Sequence, residues 1–338
     1  MFNFFNKKPT LDSASVVAPV TPPRPAPAPN TVEPAESADQ KIMIPTSDAS
    51  LRSLDQVTKA QVEEIVKLVQ SSVQQSMVEL QLINKPAALT DSKLGGIPYL
   101  PKDGSAPMDS LGRQLRFLAQ IRLSELPPNS PLSTLSPEGM LQFWVLDDDI
   151  FGLGERIEDL VKNDTSRVIY YEKMDERVTE QECAGKYSPW SDPLLEGEIY
   201  FPFEGEFRIQ FKMTCQAGIS VHDFAFDSYF TAAWNKKYPQ CQIASCYNLP
   251  SKATDVIFDL ASGFGHKIGG YPGFTQEDPR GYSEELENHT ILLLQIDSGD
   301  VGEREIMWGD GGVANFFITP ENLANKDFSQ VLYTWDCF

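Results

Sequence analysis

The stretch Lys267-Ile-Gly-Gly-Tyr-Pro-Gly-Phe274 repeats, with changes, an earlier stretch of the chain, Lys93-Leu-Gly-Gly-Ile-Pro-Tyr-Leu100. The two lysines lie 174 residues apart, and the paired glycines and the proline keep that offset. Two further segments repeat in the same order: residues 117–121 are matched by 292–296, and residues 139–145 by 312–318. Solenoid repeats have periods of about 20–50 residues. The much longer offset therefore predicts two diverged halves of one duplicated module.

The composition is that of a large acidic protein. Its 338 residues allow about two domains, and its hydrophobic content of 41% suffices for a packed core. The net charge is −20, of which only −1 falls within the first fifty residues. An acidic body repels nucleic-acid phosphates and anionic lipid, so we expect neither nucleic acid nor a membrane surface as a partner. The same charge favours a basic protein partner, although acidity also serves solubility alone.

Cysteine usage and the absence of sorting signals indicate the cellular compartment in which the protein is expected. The five cysteines are scattered and odd in number, which is typical of a reducing environment. The first eight residues, Met1-Phe-Asn-Phe-Phe-Asn-Lys-Lys8, place charge after the apolar residues, unlike a signal peptide. No apolar run reaches the ~20 residues of a membrane-spanning helix. The sequence therefore predicts a cytoplasmic protein.

The chain divides into a leader and one domain. Residues 1–46 are predicted to be disordered, because seven prolines lie between positions 19 and 34. Residues 47–338 are predicted to form a single domain, with a first half at about 87–200 and a second at about 201–338. An apolar stripe from Val62 to Leu80 predicts an amphipathic helix over 55–84, with Thr58 and Gln61 in a capping box.

From residue 87 onward, short apolar runs separated by Gly and Pro predict an α+β, β-rich fold rather than alternating strands and helices. Helices are predicted at 224–237 and 320–325, with a short turn at 124–126. The predicted strands are 115–123, 140–146, 167–171, 198–203, 206–213, 255–260, 291–296, 306–308, 315–318 and 331–335.

An ordered series of motifs resembles a known family. Lys93-Leu-Gly-Gly-Ile-Pro98, Asp147-Asp-Asp-Ile-Phe-Gly152, Lys267-Ile-Gly-Gly-Tyr-Pro272, Met307-Trp-Gly-Asp310 and Trp335-Asp-Cys337 occur in that order. The set resembles the YwqG-like family of bacterial proteins from about residue 87 to the C-terminus. The resemblance implies a compact α+β protein of two related halves, carries no catalytic residues to transfer, and suggests an association with toxin–immunity systems.

The repeated turns and glutamines are the first candidate ligand site. Exposed amides of paired glycines bind anions in many proteins, and here a lysine precedes each pair. Alternatively, the glycines only supply positive φ and the lysines are solvated. A glutamine inside an apolar run either lines a ligand cavity or satisfies buried polar groups. The candidates of this kind are Lys93, Gly95, Gly96, Gln120, Lys267, Gly269, Gly270 and Gln295.

Three candidates occur in the second half alone. His266 precedes Lys267 where the first copy has Ser92, either as a grafted functional residue or by drift. Trp308 and Asp310 lie in a Gly-rich loop that would close over a ligand, unless Trp308 packs into the core. The acidic run at 147–149 lacks the ligand spacing of a calcium loop. We therefore predict no metal and no cofactor.

The leading hypothesis is a non-enzymatic cytoplasmic protein that recognises a protein partner, of the immunity or toxin-neutralising kind. The absence of a catalytic motif around the histidines and the acidic body favour a binding protein, and the immunity or toxin-neutralising kind is what the family resemblance implies. The alternative is a protein that binds a small anionic ligand, with or without catalysis, in a cleft between the halves. Alanine at both Lys93 and Lys267 would remove binding in the second case and leave it intact in the first.

Overall fold

A computed structural model describes residues 45–192 and 201–338. The predicted leader, residues 1–46, lies outside the described residues except for Pro45 and Thr46. The predicted strand at 198–203 is described only over 201–203, and those three residues are not in a strand.

In the described residues, the helices are α1 (Lys59–Ser72), α2 (Glu180–Ala184), α3 (Phe226–Lys237), α4 (Ser251–Leu260), α5 (Glu284–Glu287) and α6 (Pro320–Ala324). The strands are β1 (Gln74–Ile83), β2 (Lys93–Gly95), β3 (Arg116–Arg122), β4 (Met140–Val145), β5 (Ser166–Tyr171), β6 (Glu206–Phe211), β7 (Cys215–Gly218), β8 (Lys267–Gly269), β9 (Ile291–Asp297), β10 (Gly299–Val301), β11 (Arg304–Ile306), β12 (Val313–Ile318) and β13 (Leu332–Asp336).

One curled antiparallel sheet dominates the fold. Its strand order is β13-β12-β9-β8-β1-β6-β2-β3-β4-β5, and β7 pairs with the first part of β1. The sheet is nearly closed: the ring centroids of Phe143 on β4 and Phe316 on β12 lie 5.1 Å apart across the largest buried cluster. The β-rich α+β class predicted from the sequence is confirmed. Helices α1, α3 and α4 pack together over a second cluster, in which Val66, Phe230 and Ile257 are fully buried.

The predicted helix over 55–84 is wrong in its second half. Helix α1 ends at Ser72, and β1 follows at once. The helical spacing does continue formally through Val73, Met77 and Leu80. However, Val78 and Leu80 are buried while Glu79 and Gln81 are exposed, which is the period of two that a half-buried strand shows. This strand becomes a central member of the sheet.

The predicted strand at 255–260 is also wrong, because these residues belong to α4. The buried residues Ala253, Val256 and Ile257 have helical spacing, and they pack in the cluster that α1 and α3 form. A short apolar run does not distinguish a buried strand from one face of a helix.

The capping box at the start of α1 is confirmed, since the Thr58 hydroxyl accepts from the Gln61 amide and the Thr58 amide donates to the Gln61 side chain. We expect Thr58→Ala to lower the free energy of unfolding by about 1 kcal/mol, measured by urea denaturation. Thr58→Ser keeps the hydroxyl and should stay within a few tenths of a kcal/mol of the wild type. An equal loss in both variants would show that the hydroxyl is not the cause.

Candidate functional site

The paired glycines lie at the ends of β2 and β8 in the left-handed region. Their φ values are +64° and +73° for Gly95 and Gly96, and +70° and +67° for Gly269 and Gly270. A Cβ atom on Gly95 would stand 2.2 Å from the carbonyl oxygen of Gly205, and one on Gly269 would stand 2.4 Å from that of Ser76. Both turn conformation and close strand approach therefore require glycine here. The Gly270 amide donates to Ser76 O at 2.9 Å, so it is already used within the sheet.

Lys93 and Lys267 are both buried, so the interpretation of these lysines as solvated side chains is wrong. The Lys93 ammonium lies 3.8 Å from a Glu206 carboxylate oxygen. The Lys267 Nζ donates to the Gly263 carbonyl, and no carboxylate of the described residues forms an ion pair with it. Burial lowers the pKa of Lys93, and it lowers the pKa of Lys267 to about 7. A ligand would reach either nitrogen only after the surrounding loops moved.

The two glutamines hold irregular segments against the outer face of the sheet. Gln120 Nε2 donates to the carbonyls of Leu89 and Asp91, and its oxygen accepts from the Tyr99 amide. Gln295 Nε2 donates to the carbonyls of Gly263 and Gly265, and its oxygen accepts from the Gly273 amide. Each amide thereby satisfies backbone groups that the sheet leaves unpaired. Gln120 pairs in register with Lys93, and Gln295 pairs in register with Lys267.

The remaining predicted residues lie apart from any shared opening. The His266 Nδ1 accepts from the Asp297 amide at 3.0 Å, and burial lowers the pKa of this histidine to about 4, which keeps the ring neutral at pH 7. Trp308 is fully buried, with its ring centroid 5.7 Å from that of Phe151. Asp310 is exposed in the following turn. The sequence allowed Trp308 either to close over a ligand or to pack into the core, and in the structure it packs into the core.

Two open grooves lie elsewhere, on either side of residues 276–287. The first, of about 370 Å³, contains the start of α5, and the second, of about 570 Å³, runs along the edge strand β13. Together we call their surface the acidic face. Its lining residues are Ile157, Glu158, Gln276, Glu277, Pro279, Tyr282, Ser283, Glu284, Glu285, Leu286, Thr334, Trp335 and Asp336.

The charged residues that line the acidic face are all acidic, and one of them, Glu158, forms an ion pair at 3.0 Å with exposed Arg156, which lies outside the lining. Five of its lining residues are acidic and none is lysine or arginine. Exposed Tyr282 and Ile157 place apolar surface beside the carboxylates. None of the residues selected from the sequence lines either groove. A signal was present, since residues 276–287 hold five acids and one arginine, but an acidic run is more often only a solvated surface.

A buried ion cluster fixes the backbone of this face. Arg280 donates to Asp223 at 2.8 Å and to Asp278 at 2.6 Å, and its Nη1 donates to the His289 carbonyl at 3.2 Å. All three side chains of the ion cluster are almost fully buried. At the neighbouring edge, the Asp336 carboxylate accepts from the Thr275 and Gln276 amides. The one arginine of the segment is therefore committed to the interior, which leaves the surface acidic.

Other kinds of site are not found in the part of the chain that the structure describes. Residues 45–192 and 201–338 contain no group of three or more His, Cys, Asp or Glu side chains placed to hold a metal ion. No helix within those ranges has the length and apolar character to span a membrane. All five cysteines are free thiols.

The curled sheet, with helices over one part of it, defines a β-rich α+β domain. The chain belongs to the family described as domain of unknown function DUF1963, whose model matches residues 92–337. No curated protein matches the chain.

Proposed function

We propose that this protein binds a basic protein partner through the acidic face. The supporting observation is that two adjoining grooves are lined by five carboxylates and no cation, with exposed tyrosine and isoleucine among them. Complementary charge raises the rate of encounter and rejects acidic competitors. Aromatic and aliphatic side chains within such a surface supply the contact area that charge alone does not.

The family resemblance adds a context to this proposal. We propose that the chain is a YwqG-like protein that acts in the cytoplasm as an immunity or toxin-neutralising factor, where a basic toxin would be the partner. Five free thiols are compatible with a reducing compartment. The net charge of −20 suits a partner of opposite sign.

We further propose that the halves are diverged copies related by a pseudo-twofold axis between β1 and β6. Glu79 of β1 pairs with Lys267, and Arg208 of β6 pairs with Lys93. In this arrangement β1 would pair with β8 of the other copy, and β6 would pair with β2 of the other copy. The matched hydrogen bonds of Gln120 and Gln295 also support this relation.

A neutralised-face variant tests the binding proposal. It carries Glu277→Gln, Glu284→Gln and Glu285→Gln. A control with the same charge change carries Asp300→Asn, Glu303→Gln and Glu305→Gln, all exposed on the β10–β11 hairpin, which lines neither groove. A partner captured from native lysate by the wild type is identified by mass spectrometry and purified. Association rates are then measured at about 0.05 M and about 0.3 M salt.

We expect the neutralised-face variant to associate about tenfold more slowly at the lower salt concentration, with a weaker dependence on salt. The hairpin control should stay within about twofold of the wild type, because its carboxylates lie outside the contact. Equal losses in both variants would mean that only net charge matters and would overturn the proposed face. A small molecule retained in native mass spectrometry, and lost with Lys93→Ala and Lys267→Ala, would instead support the anionic-ligand alternative.

A further inference from the structure

Four aromatic rings form a continuous row on the surface next to α4. The ring centroids of Tyr247 and Phe258 lie 6.5 Å apart, those of Phe258 and His222 5.9 Å, and those of His222 and Phe264 4.8 Å. Tyr247 is 61% exposed, and Phe258 and Phe264 are each 39% exposed. We call these four residues the ring row. Contiguous apolar surface of this kind often marks an interaction site on a soluble protein.

The exposed rings are not required by the core beneath them. Helix α4 buries Ala253, Val256 and Ile257 on its inner side, whereas Phe258 lies on its outer side. Exposed Leu260, at the end of the same helix, extends the apolar surface. The core of this helix is therefore complete without Phe258.

Phe264 is presented by a loop with a fixed backbone. The Gly263 carbonyl accepts from Lys267 Nζ and from Gln295 Nε2, and the Gly265 carbonyl accepts from Gln295 Nε2 at 2.8 Å. The Gly265 amide donates to Asp297 at 2.7 Å. The corresponding loop of the first repeat has Thr90 where this loop has Phe264. An apolar anchor that is already ordered loses less entropy when it binds.

Acidic residues border the ring row and connect it to the acidic face. Asp255 and Asp259 are exposed on α4, where Lys252 is the one basic residue. Asp223, which follows His222 in the chain, accepts from Arg280 at 2.8 Å, and the Phe224 amide donates to Asp278 at 3.1 Å. The ring row is therefore joined to the segment that carries Glu277, which lines the second groove.

We propose that the ring row is the apolar anchor of the same interface and takes an amphipathic basic segment of a protein partner. Apolar side chains of that segment would pack on Phe258 and Phe264, and neighbouring Lys or Arg residues would meet Asp255, Asp259 and Glu277. This inference rests on the proposed function, and it specifies the chemistry of the partner segment. Buried aromatic anchors within a charged rim are the usual arrangement of interface hot spots.

The test uses a defined probe, a fluorescein-labelled amphipathic peptide of leucine and lysine with one tryptophan. Binding to the full chain is followed by fluorescence anisotropy at about 0.15 M and about 0.5 M salt. The ring variant carries Phe258→Ser and Phe264→Ser. Its control carries Leu111→Ser and Met213→Ser, which remove apolar side chains that are 76% and 73% exposed outside the ring row. Tyr247→Ser, at a more exposed position, serves if the double variant unfolds.

We expect the ring variant to bind the peptide at least about tenfold more weakly, a loss equivalent to about 1.4 kcal/mol, at both salt concentrations. The control variant should bind as the wild type does, and the neutralised-face variant should lose affinity mainly at the lower salt concentration. A ring variant that binds normally would overturn this inference and leave the acidic face in place. If the neutralised-face variant binds the peptide normally and the ring variant does not, the proposed role of the acidic face is overturned and the ring row remains.

Discussion

Replacing Arg280 by methionine should lower the free energy of unfolding by about 3–5 kcal/mol, because the change leaves two buried carboxylates without a cation. Arg280 forms ion pairs with Asp223 and Asp278, and all three side chains are almost fully buried. Urea denaturation at neutral pH measures the effect. Arg177→Met is the control, since that arginine pairs with Asp175 on the surface, where solvent screens the pair, and its loss should change the stability far less than the loss of Arg280 does.

The same substitution should weaken partner binding, although Arg280 is not on the surface. The ion cluster holds the segment that carries Glu277, Tyr282, Glu284 and Glu285. Hydrogen exchange under native conditions should therefore become faster across residues 276–289 and stay unchanged in β3 and β4. A variant that loses stability evenly, with no local increase in exchange, would show that the cluster supports the fold as a whole and not this face.

The strands were predictable from the sequence where both faces are buried, as in β3, β4 and β9. Residues 116–122, 140–145 and 291–297 form strands close to the predicted bounds, because their apolar runs are short and end in turn residues. The apolar pattern gave the wrong element at β1, because Val73, Met77 and Leu80 keep a helical spacing in a segment where buried and exposed residues alternate as in a strand. It also failed at α4, where the run is too short to show its period.

The candidate site was harder to predict, because a repeated residue reveals a shared structural need and not its chemistry. Gln120 and Gln295 recur since each holds an adjoining loop, and the paired glycines recur since neighbouring strands leave no room for a Cβ. The acidic face depends on Arg280 turning inward. That orientation is held by Asp278, two residues away, and also by Asp223, which lies 57 residues earlier in the chain.

Lys267→Met should stabilise the protein at pH 7, and the gain should shrink as the pH rises. The unfolded-state pKa of lysine is about 10.4, whereas burial lowers the folded-state pKa of Lys267 to about 7. Between these values the unfolded state binds a proton that the folded state lacks, so the stability of the wild type rises with pH by up to about 1.4 kcal/mol per unit. Below pH 7 both states are protonated, and the full cost of burying the charge remains.

Urea denaturation at pH 7.5 and at pH 9 should therefore show the difference between Lys267→Met and the wild type falling by about 2 kcal/mol. Lys252→Met removes an exposed lysine and should show no such trend. A difference that stays constant over this range would mean that Lys267 remains charged in the folded protein, with a counter-ion or water that offsets its burial.

The two repeats differ at the position that decides this charge. Glu206 pairs in register with Gly95 and stands 3.8 Å from Lys93, whereas Met77 pairs with Gly269, the equivalent glycine beside Lys267. Met77→Glu should therefore place a carboxylate near Lys267, raise its pKa, and flatten the rise in stability between pH 7.5 and pH 9. The contrary result is a stability that rises with pH as steeply in Met77→Glu as in the wild type, while it stays constant in Lys267→Met. That result would show that the new carboxylate remains in solvent and that Lys267 is held differently from Lys93.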